Sequence, residues 1–161
     1  MNNTTSFDDL QFYSIEINQI LTKHIDNENV ILKFNIRYSL PVLIGGKKYP
    51  FQEVISSTED LIQRINDIIE YIDNLMLNSE ISDFAFEIKG MQGFLKNLFV
   101  EIDAYLKFIC LLQAKTYGTK KVSYKLHSSY LDNYYRAQDI RIQSGDTMSE
   151  VALALGLGIT K

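Results

Sequence analysis

The sequence predicts an α+β domain in which antiparallel hairpins pack with two long helices, followed by a C-terminal strand-turn-helix. Three observations lead there. Apolar and polar residues alternate between positions 12 and 38. Apolar residues recur at helical spacing from 58 to 77 and again across 94 to 115. The end of the chain passes from a short alternation, through a glycine, into another helical pattern. At 161 residues, with 46% hydrophobic side chains, 2 Pro and 8 Gly, the chain suits one folded domain with a single sizeable core, not a large multidomain enzyme.

In the first segment Tyr13, Ile15 and Ile17 point one way and Ser14, Glu16 and Asn18 the other, and Ile31 to Tyr38 repeats the pattern. Asp26-Asn27-Glu28-Asn29 between them is turn-like, because short polar side chains bond their own backbone. A calcium loop is not expected there, since Val30 stands where a fifth-position ligand is needed. A second hairpin is predicted across Leu40 to Phe51, turning on Gly45-Gly46. Those glycines do not open a phosphate loop: Pro41 replaces its first Gly, and Lys48 its Ser or Thr.

From Thr58 to Leu77 the period becomes helical, carried by Leu61, Ile65, Ile68, Ile72 and Leu75, with Ser57 as its predicted cap. The acids of this helix have no His beside them and read as a solvated face, not a metal site. Residues 82 to 89 alternate as a strand closed by Gly90-Met91-Gln92-Gly93. Residues 94 to 115 satisfy both a strand and a helix pattern; their length and Leu, Ala and Lys content favour helix. On that helix Cys110 is expected to be a small buried hydrophobe, not a nucleophile paired with His24 or His127. A single cysteine excludes an intrachain disulfide and a thiolate zinc site.

Charge is uneven. Residues 1–114 carry 9 Lys and Arg against 16 Asp and Glu, whereas residues 115–141 carry 6 against 2. The basic stretch holds five tyrosines, so Tyr124, Tyr130, Tyr134, Tyr135 and Arg136 are candidate interface residues. Nucleic-acid binding through 115–141 is a weaker alternative, because the acidic remainder would repel a polyanion. The N-terminus lacks the basic start and apolar stretch of a secretory signal. The longest uncharged stretch, Val151 to Thr160, is half of the roughly 20 residues a membrane-spanning helix needs.

The final segment divides the chain into a body, 1–138, and a tail, 139–161. Within it Gln143, Gly145, Asp146, Thr147, Ala152 and Gly156 follow one another as in the opening half of a lysin motif (LysM), with Met148 and Val151 replacing the family's Leu and Ile. The tail therefore resembles an incomplete member of that glycan-binding βααβ family, whose second helix and closing strand have no counterpart here. The resemblance implies a loop of Gly145, Asp146, Thr147 and Met148 that binds glycan or packs against a partner, ahead of a helix stopped by Gly156. It further implies a structural or assembly protein of a phage tail, baseplate or related contractile injection particle, made in the cytoplasm. Its partners would be other subunits and peptidoglycan. A spore-coat or wall-docking protein is the alternative. No catalytic residue, metal or cofactor is expected.

Overall fold

The computed structural model describes residues 7–37, 50–77 and 84–157, and these form four long helices: α1 (Phe7–Arg37), α2 (Phe51–Leu77), α3 (Ala85–Thr116) and α4 (Tyr124–Ala154). No strand occurs among the described residues, so the architecture is all-helical and the α+β expectation is corrected. The hairpin predicted on Gly45-Gly46 lies outside the described residues except for Pro50 and Phe51.

The first predicted hairpin is α1. Its buried positions are Leu10, Ser14, Ile17, Ile20, His24, Asn27 and Ile31, steps of three and four, whereas Phe12, Ile15, Ile25 and Val30 are exposed. The alternation of Tyr13, Ile15 and Ile17 was an overlap of two helical faces. Asn27, expected in the turn, is buried at mid-helix and bonded to Ser57 and Thr58.

Helix α2 carries the predicted apolar face and begins earlier than predicted. Its first turn follows Pro50, whose carbonyl accepts from the Val54 N–H. Ser57 therefore lies inside the helix and caps nothing. Phe84 is the N-cap of α3, so the strand predicted at 82–89 is, where described, the start of that helix. The helical choice for 94–115 holds. Ser123 caps α4 by accepting from the Leu126 N–H.

The predicted strand-turn-helix of the tail is instead the continuous second half of α4, which overturns the LysM resemblance. Gly145, Asp146 and Thr147 are interior helical residues, and Met148 is buried in the core. The stop at Gly156 is correct: at φ 71° it ends the helix, and the Leu157 N–H reaches back to the Ala152 carbonyl.

The helices run alternately up and down. Asn27, Glu16 and Tyr13 on α1 meet Thr58, Arg64 and Tyr71 on α2 in reverse order. Gln92 on α3 donates to Asp73 of α2, and Glu101 and Tyr105 of α3 face Arg141 and Tyr134 of α4. Gln11 of α1 donates to the Leu155 carbonyl just beyond α4, closing the ring of helices. At Gly90 α3 comes close to α4: an added Cβ would stand 2.5 Å from Val151 Cγ2. No helix among the described residues is long and apolar enough to cross a membrane.

The core has two apolar halves. One gathers Leu10, Ile17, Ile65, Ile72, Leu95, Ile102 and Val151; the other gathers Ile31, Phe51, Val54, Phe108, Ile109 and Tyr134. A layer of polar side chains separates them.

Candidate functional site

Each helix contributes to this layer at a position where its apolar spacing is interrupted: His24 between Ile20 and Ile31 of α1, Thr58 between Val54 and Leu61 of α2, Glu101 between Leu98 and Tyr105 of α3, and Arg141 between Tyr134 and Met148 of α4. His24 and Glu101 are fully buried. Arg141 donates from Nε to Glu101 Oε2 at 2.6 Å and from its terminal nitrogen to Oε1 at 3.1 Å, a two-pronged ion pair.

His24 Nε2 stands 3.4 Å from Glu101 Oε1, within ion-pairing distance, yet neither ring nitrogen makes a hydrogen bond in this geometry. Its ring lies edge-on to those of Tyr105 and Tyr134. Glu28, one turn after His24, accepts from Gln138 of α4, which also donates to the Tyr134 hydroxyl. The Tyr105 hydroxyl donates to the Asn27 carbonyl at 2.9 Å.

The electrostatics divide the two carboxylates. Burial alone would raise Glu101, but the adjacent His24 and the Arg141 guanidinium outweigh it and hold the carboxyl below its ordinary value. Burial raises Glu28; the charge of His24 opposes this, and that of Glu101 adds to it. Tyr105 is also raised, by burial first and then by the charge of Glu28. At neutral pH the layer thus holds an ionised Glu101 beside a more readily protonated Glu28. Suitably placed donor atoms of His24, Glu28 and Glu101 all lie within 4.8 Å of one another, which makes these three, among the described residues, a group that could hold a metal ion.

None of His24, Glu28, Glu101 and Arg141 was singled out as a site from the sequence. A signal existed: His24 and Glu28 are four apart on a helix, and Glu101 stands in a row of core positions where only an apolar residue or a paired charge is tolerated.

The predicted interface residues divide. Tyr124, Tyr135 and Arg136 are exposed on α4, Tyr130 is half-buried, and Tyr134 is a core residue packed on Tyr105 and His24. Arg141, counted with the basic stretch, is occupied by Glu101 in the core, so it gives the surface no free charge. Cys110 is exposed, contrary to expectation, and among the described residues no hydrogen bond joins it to His24 or His127. Desolvation of its sulfur, followed by the charge of Glu59, pushes the thiol up.

No family of known proteins matches the sequence, and neither a curated protein nor a solved structure matches it.

Proposed function

We propose that the protein is a non-enzymatic assembly component that associates through the outer face of α4 with a second, antiparallel copy of itself. One observation carries this reading. Tyr124, Tyr135, Ile142 and Leu153 are 85%, 48%, 54% and 60% exposed and follow one another at intervals of 11, 7 and 11 residues. Those intervals keep all four within about 20° of one another around the helix axis. The series also reads the same in both directions, so a two-fold axis between Tyr135 and Ile142 sets Tyr124 against Leu153 of the second copy and Tyr135 against Ile142. A self-complementary stripe is what a two-fold interface requires.

The charges beside the stripe fit the same operation. Within two residues of that register, Lys125 meets Glu150 of the second copy and Arg136 meets Asp139. All four are exposed, and none has an ion-pair partner among the described residues. An antiparallel pair sets Lys125 and Arg136 of the first half of α4 against the acidic second half of Asp139, Asp146 and Glu150, whereas a parallel pair would set like charges together.

The narrower expectation of a tail or baseplate component drew on the LysM resemblance of a segment that is helix; assembly is retained here on the α4 stripe alone. Light scattering coupled to size exclusion tests it. The expected mass is twice 18.6 kDa. Ile142→Glu, on the exposed face, should give a monomer of unchanged helix content. Lys125→Glu should weaken the pair, and adding Glu150→Lys should restore it. A monomer at every concentration, or a dimer indifferent to Ile142→Glu, refutes the proposal.

A further inference from the structure

We infer that the polar layer is a binding site for one divalent transition-metal ion of the zinc class, held by His24, Glu28 and Glu101 and bracing α1 against α3. The argument starts from His24. A fully buried imidazole in a bundle core ordinarily hydrogen-bonds through at least one nitrogen, and here both nitrogens lack a hydrogen-bond partner. Its Nε2 lies 3.4 Å from a carboxylate oxygen of Glu101. In a tetrahedral site with ligand bonds of about 2.1 Å, neighbouring donor atoms are separated by about 3.4 Å. The His24–Glu101 pair is therefore already set at the spacing of two ligands on one ion.

Glu28 supplies the third donor. It follows His24 by four residues, so both side chains leave the same face of α1, and all three donor atoms fall within 4.8 Å of one another. Closing that span to ligand spacing takes a side-chain movement of up to about 1.4 Å, within the reach of a half-buried Glu. One nitrogen and two carboxylate oxygens suit zinc, iron or manganese better than the soft, thiolate-seeking ions.

The outer shell is also present. Arg141 holds Glu101 by two hydrogen bonds, and Gln138 donates to Glu28, so both ligating carboxylates are oriented from α4. The nearby guanidinium reduces the net negative charge offered to the ion. That favours a single divalent ion over a two-metal centre. The burial of His24 and Glu101 suits a brace within the bundle better than a site that exchanges substrate.

Cobalt(II) is the probe of choice, because its visible absorption reports coordination directly. Metal-free full-length protein titrated with cobalt should develop a visible band that saturates at one equivalent per chain and is bleached by zinc. Zinc should also raise the Tm. Glu28→Gln should weaken cobalt binding tenfold or more, and His24→Gln should abolish the band; far-UV circular dichroism establishes that each variant is folded. Cys110→Ser should leave binding unchanged, since the exposed thiol is outside the site. Absence of a saturable band in the folded wild-type protein, or a band that survives both Glu28→Gln and His24→Gln, overturns the inference and leaves His24 a buried packing neighbour of Glu101. Dimer formation through α4 is an independent property and neither outcome decides it.

Discussion

Replacing Arg141 by Met removes the guanidinium and keeps most of the apolar stem. The variant leaves Glu101 fully buried beside His24 and Glu28, and deletes hydrogen bonds of 2.6 and 3.1 Å. Breaking a buried ion pair from one side costs about 3–5 kcal/mol, because the remaining charge keeps its desolvation penalty without its partner. For a chain of this length each kcal/mol moves Tm by about 2–4 °C, so the expected loss is about 6–20 °C. Urea unfolding followed by circular dichroism at 222 nm, with the metal removed by chelator, measures the difference directly. Adding Glu101→Met should recover most of the loss, since two apolar groups can replace a buried pair at little net change. The sign with pH is also fixed. In the wild type Glu101 is held below 4.5, so its contribution is present above that pH and fades as pH falls through the lowered value. Without Arg141 the carboxyl protonates more readily, so the deficit of the variant should shrink under acid conditions. A loss under about 1 kcal/mol, or a double variant worse than Arg141→Met alone, would refute the reasoning.

Glu28 should behave oppositely to Glu101. Its raised carboxyl contributes stability below 4.5 that is lost as pH rises through the raised value, so Glu28→Gln should be neutral or stabilising at pH 7, with no advantage left below pH 4.5 in chelator-treated urea titrations. Gly90→Ala should lose about 1–3 kcal/mol through overlap with Val151, and Val151→Ala should relieve it. Gly93→Ala and Gly145→Ala, where an added Cβ meets nothing within 4 Å, should each gain about 0.5–1 kcal/mol in thermal melts. The Gly145 result is pointed, because a glycine needed for a turn would lose stability on the same change. Ile102→Ala, at a fully buried position, should cost about 2–5 kcal/mol.

The sequence was most legible where one helical face is apolar without interruption. Ile65, Ile68, Ile72 and Leu75 declare α2, and Met148, Val151, Ala152 and Leu155 share a buried face as their spacing required. It was least legible where the core itself is polar. Ser14, His24 and Asn27 occupy core positions of α1, so the helical period is broken by buried polar residues, His24 and Asn27 of them at the polar layer, while exposed Ile15 and Ile25 supply a false alternation. The tail misled for a related reason. Gly145-Asp146-Thr147 has the composition of a turn and cap, but open space beside Gly145 and the buried face of α4 make helix continuation inexpensive. Outward-facing Tyr135, Ile142 and Leu153 further blurred the amphipathic pattern there.

A cross-linking experiment tests the central claim of antiparallel self-association most directly. In a Cys110→Ser background, one preparation carries Ser128→Cys and another Ser149→Cys, positions that the proposed two-fold sets opposite each other. Mixing the two and oxidising should give a rapid disulfide-linked heterodimer, with far less product from either preparation alone. Equal or greater cross-linking within each separate preparation would mean a parallel pairing or none, and would contradict the account.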